Sequence, residues 1–527
     1  MEITAPRVRE LAARTPPGTL WAGVFLGYAT ITVGFTLWLL SRQYLSETAL
    51  WSWSETVSRL EAEQGSVLRV LGLYPQLQHV LLAALSALPG LHTPMLPYLL
   101  SALTGAALLT HFTWRLHAAG VPPLLQWLVP ALILTNPAFL WAASNGNGEM
   151  LSVALYYMLA LGLFALRTSD HLRSYLVVGL LLLLLFLADA RNIYLALALM
   201  PVVALIVQRQ VQHEGLVAPQ LILYTPLLFM IGIWLALNWF ETRQSPYFLE
   251  NPNAPLGSRL SGDHLPWRAG VGANFLSASL SAFGLLILCY PLFLLLLLSP
   301  LRAWRLFDVA MVLALATVLA TGLAVAAEFT RSPADLLLLV LGGVMAMLTA
   351  GVLAPPLYAL VLAALLLGNV NTAALYSRFP ATGMGGWLDA LAGRSTAPVR
   401  GNDLALGLWA QRLDNLMIDE GTGYGVIAAR GDARDLFLSF SDRFQLDVNR
   451  GRLDVDWVAV PDPRLGHGAQ DRINQRFPQL YELGYSGYSL AYDHGDWRVY
   501  GRGELWPPSQ FRKGEPAPTS PNKAKQP

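Results

Sequence analysis

The sequence predicts a mainly α-helical, polytopic transmembrane helix bundle of about 11 spans, followed by a small C-terminal extracytoplasmic α+β domain. The first observation is composition, because 54% of the 527 residues are hydrophobic and only 13% are charged. The second is that the apolar residues form long runs rather than amphipathic stripes, as is typical of chains that cross a bilayer. The third is an abrupt change in composition near residue 379, where the leucine-rich runs end.

The apolar runs define the predicted spans. A helix needs about 20 apolar residues to cross about 30 Å of hydrocarbon. About eleven ranges fit this pattern: 19–40, 94–114, 122–142, 150–166, 174–188, 193–207, 217–240, 276–298, 306–327, 336–352 and 357–374. The first run is too long for a signal peptide and lacks a small-residue cleavage site, so we predict that it is an anchor.

Arginine placement predicts the orientation. The arginine bias of the short loops favours a cytoplasmic N-terminus, and an odd number of spans then places the C-terminal domain outside. We therefore expect a multi-pass protein of the cell membrane. The predicted domains are a transmembrane domain at 1–378 with long outer loops at 41–75 and 241–275, an extracytoplasmic α+β domain at 379–505, and a disordered Pro-rich and Lys-containing tail at 506–527.

The C-terminal domain shows short strands and turns. We predict strands in DVDWVAVPD, in GYGVIAAR, and in GYSLAYD and DWRVYGRG, the last two forming a hairpin across HGD at 494–496. Helical spacing of apolar residues covers 403–419 and 470–482. The glycine-rich GTGYG at 421–425 lacks the Lys-Ser/Thr that completes a phosphate-binding loop, so we interpret it as a turn.

Charge and cysteine content exclude two classes. The formal net charge is +1, and no concentrated basic face is evident, so we expect no nucleic-acid partner. The single cysteine, Cys289, excludes an intramolecular disulfide.

Three groups of ionisable residues fall on the predicted outer side. They are the first outer loop with Glu55, the turn from Asn145 to Glu149, and the short turn from Asp189 to Arg191. A carboxylate at the lipid–water boundary can accept a proton from an attacking hydroxyl if burial or a neighbour moves its pKa toward neutrality. An arginine at the same depth can bind a phosphate diester with two hydrogen bonds. This combination suits transfer from a lipid phosphate.

The first outer loop carries a resemblance to a known family. Ser54-Glu55 is followed by Tyr74-Pro75-Gln76-Leu77, which opens an apolar helix, and the stretches NPAFLWAASNGNGEMLSVALYY and GLLLLLLFLADARNIY come next. This order resembles the GT-C superfamily of membrane glycosyltransferases, including the protein O-mannosyltransferases and the lipid A aminoarabinose transferase. Those enzymes have an Asp-Glu pair and a His-Pro-Pro-Leu-Tyr-Tyr-like segment at these places. The resemblance covers roughly residues 19–210.

The resemblance implies a polyprenyl-phosphate-linked sugar donor, the lipid bilayer as surroundings, and a lipid, glycan or protein acceptor. It implies that Glu55 is the general base of an inverting displacement, and that Arg191, beside Asp189, contacts the phosphate. Glu149 and Asn145 would hold sugar hydroxyls. The second outer loop supplies the other predicted substrate-binding residues: Arg243, Tyr247, Asp263, His264, Trp267 and Arg268. No cofactor is certain from the pattern; a divalent cation stays open, and its ligands are unknown.

Other interpretations stay open. Glu55 and Arg59 are spaced i, i+4, as they would be on a solvated helix face with ion pairs. Asp189 and Arg191 could pair only with each other at the end of a span. The chain could also be a transporter or lipid-handling protein, although no second copy of the opening pattern is apparent. Ser54 replaces the first acid of the family's pair, which is also compatible with an inactive GT-C relative acting as a scaffold.

Overall fold

The protein is mainly helical, with a small sheet near its C-terminus. The structure, a computed structural model, describes the following residues: 18–62, 65–73, 76–168, 171–189, 191–206, 217–242, 275–293, 304–326, 333–349, 357–378, 384–394, 401–465 and 468–503. The second long outer loop and the C-terminal tail lie outside these ranges, as do Tyr74 and Pro75, so the predictions made for them stay predictions.

Sixteen helices precede the C-terminal region in the described part of the chain. They are α1 (Gly18–Ser41), α2 (Glu47–Glu61), α3 (Val67–Leu71), α4 (Gln76–Ser86), α5 (Leu96–Ala118), α6 (Pro123–Leu134), α7 (Pro137–Ser144), α8 (Glu149–Thr168), α9 (Leu172–Ala188), α10 (Asn192–Val202), α11 (Val217–Thr242), α12 (Phe275–Cys289), α13 (Trp304–Ala326), α14 (Pro333–Thr349), α15 (Tyr358–Arg378) and α16 (Met384–Leu391).

The apolar helices support a membrane protein, but the predicted count of eleven spans is not confirmed. In the described residues, five helices are long and apolar enough to cross a bilayer: α1, α5, α8, α11 and α15. A sixth span results if α6 and α7, which are bent by 67°, are counted together. Five shorter apolar stretches, of 10–17 described residues each, lie at Leu172–Ala188, Asn192–Leu205, Phe275–Cys289, Asp308–Ala324 and Leu338–Thr349. Each is shorter than the roughly 20 residues of an untilted crossing, although α13, which contains the fourth stretch, is 23 residues long as a helix.

The bend between α6 and α7 has a local cause. Pro137 begins α7, and its missing N–H interrupts the helical hydrogen-bond pattern. Asn136 caps α7 by accepting a hydrogen bond from the backbone N–H of Ala138 at 2.9 Å. Asn369 of α15 donates to the backbone carbonyl of Leu132 at 2.8 Å and accepts from the Asn136 amide at 2.7 Å. The polar groups at the break therefore bind one another, as an apolar environment requires.

The C-terminal region folds around a five-stranded sheet. Its elements are α17 (Gly401–Ala410), β1 (Leu416–Met417), α18 (Glu420–Arg430), β2 (Leu436–Phe437), α19 (Asp442–Arg450), β3 (Trp457–Pro461), α20 (Arg472–Arg476), α21 (Leu480–Leu483), β4 (Tyr488–His494) and β5 (Trp497–Arg502). The strand order is β2-β1-β3-β5-β4. Strand β1 is parallel to β2 and β3, whereas β5 is antiparallel to β3 and β4.

The predicted strand at DVDWVAVPD and the hairpin across HGD are confirmed as β3 and as β4–β5. The predicted strand in GYGVIAAR is wrong, because this stretch lies in helix α18. Asp419 caps that helix by accepting from the backbone N–H of Gly421, and Gly431 ends it with a left-handed φ of 87°. The GTGYG segment is therefore the first part of a helix and not a turn. The helical prediction over 470–482 is met by the two short helices α20 and α21. The helical prediction over 403–419 is right only up to Ala410, where α17 ends; it is wrong for Leu416–Met417, which form strand β1.

The C-terminal region shares a core with the helices that follow the first candidate span. Trp53 and Val57 of α2 and Leu82 of α4 are buried in one apolar cluster with residues of α17, α18 and the sheet, among them Leu406, Val426 and Trp497. Helix α2 packs directly against α18. Burial of this apolar surface docks the C-terminal region on α2 and α4, which lie in the chain between the first and second candidate spans.

Candidate functional site

Helix α2 is buried along most of its length, although its sequence is polar. Ser46 caps its N-terminus by accepting a hydrogen bond from the backbone N–H of Ala49. Every residue from Trp51 to Arg59 is buried. The helix has α4 on one side and α18 on another. A polar helix in such a position brings ionisable groups into the interior, where each must find a partner or change its protonation state.

Glu55 is the ionisable group on α2 for which polar contacts offset the cost of burial least. Its side chain is 1% exposed, and neither carboxylate oxygen has a hydrogen-bond partner among the described residues. The nearest cation is Arg59, whose Nε lies 3.6 Å from Oε2. Burial raises the pKa of Glu55 to about 7; Arg59 lowers this pKa, and the carboxylates of Glu420 and Asp419 raise it further.

Arg59 lies between two carboxylates. Its Nη2 is 3.6 Å from Oε1 of Glu420, the same distance that separates its Nε from Glu55. Its guanidinium also stacks on the ring of Phe440, 3.9 Å from the ring centre. Glu420 itself is fixed by Ser439, which donates to it from the backbone N–H at 2.7 Å and from the hydroxyl at 2.6 Å. One guanidinium therefore contacts a carboxylate on each side of the interface between α2 and α18.

Two more buried carboxyls lie behind Glu420. Asp419 is the cap of α18, and Asp471 is the cap of α20. Burial raises the pKa of Asp419 to about 6, with Glu420 adding to the effect, and raises that of Asp471 to about 8, with Asp419 adding to it. The Thr422 hydroxyl oxygen lies 2.6 Å from Oδ2 of Asp471. Asp419 and Asp471 therefore continue the cluster of Glu55, Arg59 and Glu420 further into the C-terminal region.

The turn from Asn145 to Glu149 forms a second polar group, at the start of α2. The Ser46 hydroxyl is hydrogen-bonded to the Asn147 amide oxygen, and the backbone N–H of Ser46 donates to the Tyr98 hydroxyl at 2.8 Å. The Asn145 amide donates to Oε2 of Glu149 at 3.0 Å. Asn145 and Glu149, which were both predicted to bind substrate, are therefore in contact with each other, and this pair lies next to Ser46 rather than Glu55.

Gly146 fits this turn only because it has no side chain. Its φ is 73°, and a Cβ added there would lie 2.9 Å from Cβ of Ala49. We expect Gly146→Ala to destabilise the protein by about 1–2 kcal/mol from the backbone conformation alone, with the contact to Ala49 adding to the cost. Gly90 is a matched control, because its φ is 82° but nothing lies within 4 Å of an added Cβ. Thermal unfolding of both alanine variants measures the difference, and equal losses would show that crowding at Gly146 costs nothing.

The predicted phosphate contact, Arg191, is paired within its own turn. Its Nη2 lies 2.6 Å from Oδ2 of Asp189, and its backbone N–H donates to Oδ1 of the same carboxylate at 2.8 Å. About a fifth of each side chain is exposed. Helices α8 and α9 pack together and are joined by a short connection, so the Asp189 turn lies at the same end of the bundle as Glu149. Both predicted groups thus occupy one end.

The structure divides the predicted site into parts. It joins Asn145 to Glu149 and Asp189 to Arg191, and it places Glu55 against the C-terminal region. Burial of Glu55 and Arg59 excludes the solvated helix face that their spacing also allowed. The predicted residues of the second outer loop lie outside the described residues: Arg243, Tyr247, Asp263, His264, Trp267 and Arg268. In the described ranges, no group of three or more histidine, cysteine or acidic side chains could hold a metal ion.

Sequence reasoning missed the contribution of the C-terminal region. Glu420 and Asp419 stand together immediately before the glycine-rich GTGYG segment. An Asp-Glu pair at that point was a usable signal, since acidic residues favour the cap and the first turn of a helix. Comparison with known protein families and with curated proteins finds no match to the chain.

Proposed function

We propose that the chain is a membrane glycosyltransferase that moves a sugar from a polyprenyl-phosphate donor to a hydroxyl of a lipid, glycan or protein acceptor on the outer face of the membrane. The observation that carries the proposal is Glu55: a buried carboxylate, without hydrogen bonds, on the helix that follows the first candidate span. Its pKa of about 7 matches the requirement for a general base at neutral pH.

In the proposed reaction, Glu55 accepts the proton of the acceptor hydroxyl. The hydroxyl oxygen forms a bond to the anomeric carbon, while the bond from that carbon to the phosphate oxygen breaks. Polyprenyl phosphate leaves with the electron pair, and the configuration at the anomeric carbon inverts because attack and departure occur on opposite faces. Because neither oxygen of Glu55 accepts a hydrogen bond from a described residue, the carboxylate can take this proton while only its 3.6 Å contact with Arg59 is weakened.

The other end-of-bundle groups support binding of the donor. Arg191 keeps a fifth of its side-chain surface exposed at the end of an apolar helix, where its guanidinium would be available to a lipid phosphate in the proposed complex. Asp189 holds the guanidinium in position through two contacts. Glu149 and Asn145, joined to each other, offer acceptors and donors for sugar hydroxyls.

Access to Glu55 requires movement. Its side chain is 1% exposed, and α18 covers the face of α2 on which it lies. An acceptor can reach the carboxylate only when α18 and α2 separate, so the proposed cycle includes opening of this interface.

The test uses the purified protein in lipid nanodiscs with a panel of polyprenyl-phosphate sugars and acceptors. We expect Glu55→Gln to lower the release of polyprenyl phosphate by roughly 10²–10⁴-fold, the range expected for loss of a general base. Glu61→Gln is the matched control, because Glu61 ends the same helix and accepts a hydrogen bond from the backbone N–H of Ala433 in the C-terminal region. It should retain turnover within a few-fold. Equal turnover by wild type and Glu55→Gln would remove Glu55 as the base.

A second candidate function is a scaffold that holds the C-terminal region at the membrane. The observation in its favour is the hydrogen bond from the Ser54 hydroxyl to the backbone carbonyl of Tyr424 at 2.5 Å, at the position where the GT-C pattern has an acid. For a scaffold, no donor in the panel would release polyprenyl phosphate with the wild-type protein, while the C-terminal region would stay docked.

A further inference from the structure

In the part of the chain that the structure describes, the contact between α2 and α18 brings three buried carboxylates near Arg59. Glu55 comes from α2, while Glu420 and Asp419 come from α18 and its cap. Arg59 is within 4 Å of two of these three groups. If the two carboxylates that Arg59 contacts were both ionised, this one guanidinium would leave a net charge of −1 in a buried place, and Asp419, whose charge Arg472 partly offsets, would add to it; such an uncompensated buried charge is costly. At least one carboxyl is therefore expected to hold a proton while the interface is closed.

Glu420 is the carboxylate with the most rigid position. Two hydrogen bonds from Ser439 hold both of its oxygens, and both favour the ionised form. By contrast, within the described ranges Glu55 accepts no hydrogen bond, and only its 3.6 Å contact with Arg59 favours its ionised form. The proton of the pair is therefore expected to reside on Glu55.

The position of Arg59 links the two groups. The guanidinium lies 3.6 Å from each carboxylate and is clamped over the Phe440 ring, so it does not close fully on either one. Glu420 thus acts on Glu55 in two ways: its charge repels a second negative charge, and it takes part of the Arg59 interaction that would otherwise stabilise ionised Glu55.

We propose that Glu420 is a positioning residue for Glu55: acting through the shared Arg59, the docked C-terminal region keeps the proton affinity of the Glu55 carboxyl high. Its role in catalysis rests on the proposed function, whereas its effect on protonation does not. Because the acceptor reaches Glu55 only when α18 separates from α2, this control acts in the closed protein: separation removes the effect of Glu420, and Glu55 can release its proton before the acceptor hydroxyl arrives.

The charged and titratable groups around Glu55 come from several elements. Helix α2 itself contributes Arg59, while α18 and its cap contribute Glu420 and Asp419, with Asp471 next to Asp419. Arg69 of α3 lies over the Phe440 ring. His79 of α4 has its Nδ1 2.8 Å from the Thr56 hydroxyl. Glu420 is the member of this set that contacts Arg59 from across the interface.

The experiment is a pH titration of Glu55 in the full-length protein in nanodiscs, without substrate. Infrared difference spectra follow the carboxyl band, which is assigned to Glu55 by its loss in Glu55→Gln. We expect Glu420→Gln to move the titration of Glu55 downward by about one pH unit or more, because removal of a like charge and release of Arg59 act in the same direction. Glu420→Asp keeps the charge but shortens the side chain, so we expect a smaller downward shift.

Hydrogen exchange of the α2 backbone, measured on the same samples, separates positioning from simple docking. The proposal predicts a shifted titration with α2 protected as in wild type, and Ser54→Ala, which removes an uncharged interface bond, should leave the titration in place. An unmoved titration in both Glu420 variants would overturn the proposal. So would a shift that occurs only where protection of α2 is lost. Because no substrate is present, this outcome is independent of the turnover of Glu55→Gln.

Discussion

Arg59→Met is expected to weaken docking of the C-terminal region on α2 by about 3–5 kcal/mol at pH 8, the cost of removing one partner from a buried ion pair. Arg59 is the cation that contacts both Glu55 and Glu420, and it is 7% exposed. Methionine keeps much of the side-chain volume but leaves two carboxylates facing each other in the interface. The lost stacking on Phe440 adds to the effect.

Hydrogen exchange of the segment from Trp51 to Arg59 measures this loss of docking. The effect should be smaller at pH 5 than at pH 8, because protonation of Glu55 removes one of the two negative charges. Arg394→Met is the matched control: its ion pair with Asp389 has the same 3.6 Å length, but the arginine side chain is 77% exposed. An exposed pair contributes little, so this variant should exchange like the wild type. Similar protection in Arg59→Met and wild type at pH 8 would mean that Arg59 does not hold the interface.

The membrane helices could be predicted from the sequence because their signal is local. A run of apolar residues is apolar whatever it packs against, and a helix lies in each of the eleven predicted ranges. The bend after Leu134 was harder to predict from the sequence. Pro137 indicates a break, but the hydrogen bonds that stabilise it come from Asn369, more than two hundred residues later in the chain.

The prediction for GYGVIAAR failed for a physical reason. Tyr, Val and Ile favour strands by propensity, and three nearby glycines disfavour a helix. Packing against α17 overrides these preferences, because a Cβ at Gly425 would lie 2.2 Å from Oδ2 of Asp403. The glycines therefore allow close approach of two helices. Strands β1 and β2 have two residues each, too short to show an alternating pattern.

The candidate site, too, could be predicted only in part from the sequence. The spacing of Glu55 and Arg59 predicted their ion pair, since residues four apart on a helix are neighbours. The sequence could not predict that the pair is buried, because burial depends on α18 of the C-terminal region. Whether Glu55 holds a proton at neutral pH depends on that burial and on Glu420, so its chemistry follows from tertiary contacts and not from local pattern.

Asp471→Asn is expected to remove most of the pH dependence of the stability of the C-terminal region. Asp471 is fully buried, and burial raises its pKa from 3.8 to about 8. A raised pKa means that the native state holds a proton which the unfolded chain releases above pH 4. The stability from this group is therefore full at low pH and is lost as the pH rises toward 8. Between pH 5 and pH 8 the wild-type free energy of unfolding should fall by about 3 kcal/mol.

Asparagine reproduces the protonated form of Asp471. Its oxygen can accept from the backbone N–H of Asn474, as Asp471 does at 2.9 Å, and its amide can donate to the Thr422 hydroxyl. The variant should match the wild type at pH 5 and exceed it at pH 8. A smaller slope of the same sign should persist, because burial also raises the pKa of Asp419. Hydrogen exchange of β3 in the full-length protein at the two pH values measures the difference, with Asp414→Asn, at an exposed position, as the control. If Asp471→Asn keeps the wild-type dependence of unfolding free energy on pH, Asp471 is ionised in the folded protein. The pH dependence must then come from Glu55 and Asp419.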